Sequence, residues 1–141
     1  MNAPYSKRTV RCQAVIFDKT REKILLVQHK NRNGNVYWWL PGGNLEPDEE
    51  PEECLRRELR EELNINVSID HSFELNNIIP KRIYERYITF VCTINDSDTP
   101  HVGKVDAHAV IGFGWFNINE QISGSVIHTE DIRIFLDEVF G

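Results

Sequence analysis

The stretch from Trp38 to Ile65, WWLPGGNLEPDEEPEECLRRELREELNI, decides how the rest of this chain is read. It holds nine acids, Glu46, Asp48, Glu49, Glu50, Glu52, Glu53, Glu58, Glu61 and Glu62, against three bases, Arg56, Arg57 and Arg60. Its net charge of −6 equals the formal charge of the whole 141-residue chain, so the remaining residues balance at 13 acids and 13 bases. Concentrating like charge in one loop and one helix costs self-repulsion unless cations answer it, and a divalent metal ion is the simplest such cation.

The local chemistry of the stretch is that of a tight turn followed by a helix. Gly42-Gly43 opens backbone conformations closed to other residues and lets a ligand approach main-chain groups. Pro51 suits the first turn of a helix, where its missing N–H costs nothing, and Glu52 and Glu53 complement the helix dipole there. Neither Gly nor Pro interrupts the chain from Glu52 to Leu63, and Asn64 stands where a left-handed C-terminal cap is expected. Around this helix Leu55, Leu59 and Leu63 span roughly 80°, an apolar stripe for a core. Glu58, Glu61 and Glu62 share the face beside that stripe, and Arg56, Arg60, Glu53 and Arg57 take the side most easily left in water. Like charges three and four residues apart repel on a bare helix, whereas clustered carboxylate oxygens next to a core are what Mg²⁺ or Mn²⁺ requires. A merely solvated acidic face is the alternative; the glycine turn, the proline start and the spacing favour the metal.

These residues resemble the box of the Nudix hydrolases, G-x5-E-x7-R-E-U-x-E-E-x-G-U with U aliphatic. Here the run is Gly43, five residues, Glu49, seven residues, then Arg57-Glu58-Leu59-Arg60-Glu61-Glu62-Leu63-Asn64-Ile65, with Asn64 in place of the final glycine. The lead-in Trp39-Leu40-Pro41-Gly42 is also similar, and the box covers 23 of the 141 residues. Asp48 stands where many relatives have glycine. The resemblance implies an α/β (α+β) fold, a mixed β-sheet sandwiched between α-helices. It implies that Glu61 and Glu62 are metal ligands and that Glu58 is a ligand or the base that activates water. Glu49 would help to complete the metal shell, Arg57 would hold a glutamate in place, and the Gly42 or Gly43 backbone would add a carbonyl ligand. The implied catalytic set is thus Glu58, Arg57 and Glu61.

The rest of the chain reads as one domain, residues 1–141, long enough for a real core. Hydrophobic residues at 40% and charged residues at 27% are ordinary for a globular protein. The N-terminus lacks the apolar region of a secretory signal, and no run approaches the ~20 residues of a membrane span. Cys12, Cys54 and Cys92 are far apart with no C-x-x-C, which speaks against a disulfide scaffold or zinc site and for a reducing cytoplasm. Cys54, among the acids, is read as a packing residue.

Thr9–Phe17 reads as a strand with Val10, Cys12, Ala14 and Ile16 on one face and Val15 and Phe17 on the other. Asp18–Glu22 is a turn, and Lys23–His29 a second, largely apolar strand, suggesting a hairpin. Lys30–Asn35 is a loop and Val36–Leu40 a short strand into the glycine turn. Beyond the box, Ile65–Ile69 reads as a strand, His71–Ile79 is ambiguous, and Arg82–Ile94 has strong β composition. Asn95–Val105 is a polar loop, Val110–Phe116 a strand, Asn117–Ser125 a connection. Thr129 is the expected N-cap of a closing helix with Ile132, Phe135, Leu136, Val139 and Phe140 on one face.

The resemblance implies hydrolysis of a pyrophosphate linking a nucleoside to a group X, a small-molecule nucleotide substrate. Mg²⁺, or Mn²⁺, would invert the local sign and acidify a water, and Glu58 is the first choice of base. Many relatives carry a further glutamate where this chain has Ala109; Asp106 and His108 are nearby, with Asp96 and Asp98 in the preceding loop. Arg11, Arg32, Lys81, Arg82 and Arg86 are candidates for phosphate contact, or ordinary surface charges. Trp38, Trp39, Phe17 and Tyr84 could stack a base, or fill the core. His29, His71, His101 and His128 show no ligand spacing. Pro80, 15 residues past Ile65, resembles the ADP-ribose pyrophosphatase branch, while the small size equally resembles nucleoside triphosphate pyrophosphohydrolases. A Nudix-fold module that binds a nucleotide without turnover is the competing reading. No basic patch points to nucleic acid. A homodimer, common among relatives, stays open.

Overall fold

A computed structural model of the chain describes residues 10–30, 33–78, 84–102, 110–118 and 129–140. Its central strand is β1 (Val10–Phe17), buried at every position. Successive side chains of a strand point to opposite faces. Val10, Cys12, Ala14 and Ile16 therefore enter one core with Leu55, Leu59 and Leu63 of helix α1 (Pro51–Leu63). Val15 and Phe17 enter a second with Ile132, Phe135 and Leu136 of helix α2 (Thr129–Phe140). Each of the three fully buried leucines of α1 contributes about 2 kcal/mol of apolar burial.

Around β1 the sheet is mixed. β1 runs parallel to β6 (Arg86–Ile94), from Val10 opposite Arg86 to Phe17 opposite Thr93. β5 (Val67–Asn76) is antiparallel to β6. β2 (Lys23–Lys30) is antiparallel to β1, to β3 (Val36–Trp39) and to β7 (Val110–Asn117). The three-residue β4 (Gly42–Asn44) lies antiparallel on β1, with Arg11 opposite Asn44 and Gln13 opposite Gly42. The order is β3-β2-β1-β6-β5, with β4 on β1 and β7 on β2, seven strands in all. A parallel pair needs a crossover, and the chain between β1 and β6, α1 included, makes it. This is the expected mixed sheet between helices. Among the described residues no helix is long and apolar enough to cross a membrane.

The ends of α1 follow the residues that mark them. Glu50 N–H donates to the Glu53 carboxylate at 2.9 Å, and Pro51 opens the helix. Asn64 closes it at φ 56°, ψ 43°, its N–H donating to the Arg60 carbonyl at 3.0 Å.

The expected β1–β2 hairpin is present, paired at Phe17 and Ile24, and the long partner of β1 is β6 in parallel. Two expectations change. The ambiguous His71–Ile79 segment continues β5 to Asn76; the register shifts between Ile69 and His71, which breaks the alternation a regular strand would show. Phe140, placed on the buried face of the closing helix, is 44% exposed, with its ring edge against Phe17 at 5.6 Å between centroids. It is the last residue of the helix.

Candidate active site and metal centre

The site forms where the glycine turn meets α1. β4 hydrogen-bonds into the edge of β1, the Pro41 carbonyl accepting from Ala14 N–H and the Val10 carbonyl from Leu45 N–H, each at 3.0 Å. This brings Gly42 and Gly43 over the helix face that carries Glu58 and Glu62. Both glycines are required, for different reasons. A Cβ on Gly42 (φ 153°) would stand 2.1 Å from the Cys12 carbonyl oxygen. A Cβ on Gly43 would stand 2.3 Å from Cδ of Glu58.

The carboxylates on this face are not equivalent. Glu58 and Glu62 are buried, at 4% and 3% exposure, whereas Glu61 lies at the edge. Glu62 Oε1 accepts the Gly42 N–H at 3.2 Å. Burial pushes the Glu62 carboxyl up to about 8; the neighbouring Arg11 charge and the Gly42 N–H pull it down, while Glu58 and Glu61 push it further up. Arg57 holds the others. Its Nε and Nη2 donate to Glu49 at 2.8 and 3.1 Å, a two-pronged pair, and its Nη1 donates to Glu58 at 3.0 Å and Glu61 at 3.2 Å. Nη2 also reaches the Asn44 carbonyl at 3.3 Å. The hydrogen bond from Arg57 holds Glu49 below the usual carboxylate range, and Glu49 in turn raises the guanidinium.

Among the described residues no three carboxylate, imidazole or thiol groups converge into a ready-made side-chain cage for an ion. Arg57 draws Glu49, Glu58 and Glu61 to itself, and Glu62 is turned onto Gly42. The residues nevertheless fit a hard divalent cation. All the donors are oxygens, the glycine cradle leaves the space a side chain would fill, and burial raises the Glu62 carboxyl, a shift that a cation bound beside it would oppose.

Cys54 packs under the turn, its thiol 3.2 Å from the Asn44 carbonyl and 3.9 Å from that of Gly43. The adjacent Cys12 thiol and burial push it well above the ordinary thiol range, as suits a packing residue.

The substrate candidates scatter. Arg11, 8% exposed, lies beside the turn, with Nη2 donating to the Leu40 carbonyl at 2.9 Å and Nε to Gln13 Oε1 at 3.1 Å. Its guanidinium lies 5.8 Å from the centroid of the Tyr84 ring, and the Tyr84 hydroxyl donates to Asn44 Oδ1. Arg86 is taken up by Glu74, with bonds of 2.8 and 3.1 Å. Trp39 needs correction as a stacking residue: it is 6% exposed, packed edge-on to Phe135 and tied through Nε1 to Gln13. Phe17 is likewise core, and Trp38 is half-buried against Phe116. Asp96 pairs with Lys19 at 3.4 Å, and Asp98 accepts the Asn66 N–H. Arg32, Pro80, Lys81, Arg82, Asp106, His108, Ala109 and His128 lie outside the described residues. Sequence reading passed over Gln13 and Thr89, which are fully buried and bonded to each other at 3.1 Å. The available signal was a polar residue two places from Arg11 on one face of an apolar strand.

Comparison with known proteins identifies the family. The sequence model of the NUDIX domain matches residues 7–133. The chain is 39% identical over 54 residues to the 8-oxo-dGTP diphosphatase of Proteus vulgaris, 38% of this chain and 48% of that protein. It is 35% identical over 66 residues to the human 8-oxo-dGDP phosphatase NUDT18, 45% of this chain and 20% of that protein. The matches thus span less than half the length of these curated relatives. A crystal structure of a MutT NUDIX hydrolase from Burkholderia pseudomallei superposes with a TM-score of 0.63 at 26% identity, covering 93% of this chain and 97% of that one. With the box in place on α1 and the family's sequence model matched along most of its length, the chain belongs to the NUDIX domain family.

Proposed function

We propose that this chain, as a single domain, is a metal-dependent pyrophosphohydrolase that cleaves a nucleoside diphosphate linked to a group X. The observation that carries this reading is the buried pair Glu58 and Glu62 closed under Gly42-Gly43, with Arg57 bridging Glu49, Glu58 and Glu61. A purely structural helix has no use for two buried acids facing the same turn, because each costs desolvation.

Glu58, Glu61 and Glu62 are the residues that would hold Mg²⁺ or Mn²⁺, with Glu49 and the Gly42 or Gly43 carbonyl completing the shell. Such ions supply positive charge toward the diphosphate and make an attacking water more acidic. Glu58, buried beneath Gly43, would take the proton of the attacking water on a carboxylate oxygen. Arg57 fixes the direction of the Glu58 carboxylate and also reaches Glu61. Arg11 is the proposed contact for a phosphate of the substrate, a reading supported by its hydrogen bond to Leu40 beside the turn. The names of the relatives support a nucleoside triphosphate or its oxidised form as substrate, with ADP-ribose and other sugar nucleotides as the alternative. Three free buried cysteines support a reducing compartment, the cytoplasm.

The test is a hydrolysis panel of nucleoside triphosphates, 8-oxo-dGTP, ADP-ribose, other sugar nucleotides and dinucleoside polyphosphates, with Mg²⁺, Mn²⁺ or EDTA and product identification. Cleavage of one class that needs the metal and drops by orders of magnitude in Glu62→Gln is expected. Tight nucleotide binding with no turnover anywhere would replace the enzyme with a sensor.

A further inference from the structure

β1 carries two polar residues on one face. Arg11 and Gln13 lie on the face that carries Val15 and Phe17 toward α2, and all four are buried. Burying a guanidinium and an amide costs free energy unless their donors and acceptors are met. Gln13 meets this demand in a directed way. Its Oε1 accepts from Arg11 Nε and from Trp39 Nε1, both at 3.1 Å, and its Nε2 donates to Thr89 Oγ1 at 3.1 Å. Neither an arginine Nε nor an indole N–H can accept, so the two donors on one oxygen allow a single orientation of the amide. Thr89 stands opposite Gln13 in the parallel β1–β6 pairing, which anchors the clamp in the middle of the sheet.

The clamp ends at the glycine turn. Arg11 has Leu40 as its second anchor, and β4 sets Asn44 opposite Arg11 and Gly42 opposite Gln13. Among the described residues Arg11 makes no ion pair within 4.0 Å; its hydrogen bonds go to the neutral Leu40 carbonyl and Gln13 amide, its guanidinium faces the Tyr84 ring, and its charge acts on Glu62 at longer range. A guanidinium held by neutral groups beside the turn has further N–H groups left to meet an anion.

We infer that Gln13 is a positioning residue for substrate recognition: by fixing Arg11 and Trp39 beside the glycine turn, it sets the guanidinium to receive a substrate phosphate. This rests on the nucleotide hydrolase reading, with Arg11 as the phosphate contact. Gln13 itself does not touch substrate, so its effect must pass through Arg11.

A double-mutant cycle of Gln13→Met and Arg11→Met tests this, with kcat and KM on the best substrate and, separately, the Kd for an α,β-methylene nucleoside triphosphate. Gln13→Met is expected to raise KM and Kd by about tenfold, the loss of one charge-assisted bond. Its kcat should stay within about threefold, and its effect should vanish in the Arg11→Met background. An equal effect in both backgrounds, or a loss confined to kcat with Kd unchanged, would overturn the inference and leave Gln13 as packing. Should Gln13→Met fail to fold, Gln13→Glu keeps shape and acceptor but neutralises Arg11. Its Kd should rise at least about tenfold, and a wild-type Kd would overturn the inference. Wild-type protein that binds the analogue without hydrolysing any substrate would defeat the hydrolase reading while Kd still decides the role of Gln13. Wild-type protein that does neither defeats both.

Discussion

Gly43→Ala separates the site from the fold. The new Cβ would stand 2.3 Å from Glu58 Cδ and 2.4 and 2.6 Å from its oxygens, where ordinary contacts begin at 3.4 Å. The carboxylate must therefore retreat by about 1 Å, a displacement that costs about 10²-fold in rate when the group belongs to the reacting constellation. The fold pays little, because the colliding atoms are the end of a side chain and Gly43 has no positive φ; overpacking of this kind costs about 1 kcal/mol. Gly42→Ala is the control. There the clash is with the Cys12 backbone oxygen at 2.1 Å, at φ 153°, and stability should fall by several times as much. Measuring kcat with saturating Mg²⁺ beside thermal melting of both variants distinguishes the two. A Gly43→Ala protein that melts normally and keeps wild-type kcat would refute the placing of Glu58 in the reaction.

Arg57→Lys keeps the charge and loses the fork that grips Glu49 while reaching Glu58 and Glu61. Its kcat should fall by about 10²-fold with little change in melting; unchanged kcat would show that the grip is incidental. Glu62, with a folded value near 8 against an ordinary 4.5, binds an extra proton in the folded, metal-free chain between those limits. Its contribution to stability is full below pH 4.5 and is lost as pH rises through about 8. Urea melts in EDTA should therefore show stability falling by up to a few kcal/mol over this window, Glu62→Gln flattening the slope, and Mg²⁺ restoring stability at pH 8; parallel slopes for the two proteins would contradict the assignment. Asn64→Ala should lower stability by about 1 kcal/mol, roughly 3 °C in Tm, because alanine tolerates the φ of 56° poorly, while Asn64→Gly should match or exceed wild type. Equal melting of all three would show that the cap carries no weight.

The features legible along the chain were local. Pro51 and Asn64 bound the helix because ring geometry and left-handed tolerance act within one residue. The leucine stripe of α1 and the alternation of β1 follow from the 3.6- and 2-residue periods. Asp48, at φ 65°, holds a backbone conformation that suits glycine better. The box identified the family and its acids, but periodicity alone set Glu58, Glu61 and Glu62 on one face as equals. Only the tertiary structure separated them, because β4 closes over Glu58 and Glu62 and leaves Glu61 at the edge. The same holds for Trp39, whose burial depends on α2, nearly a hundred residues later in the chain, and for the parallel pairing of β1 with β6. The Gln13 clamp joins strands that are distant in sequence, Gln13 to Trp39 and Thr89. No local pattern encodes a hydrogen bond whose partners meet only after the sheet has formed, so burial and partner choice were decided by the fold.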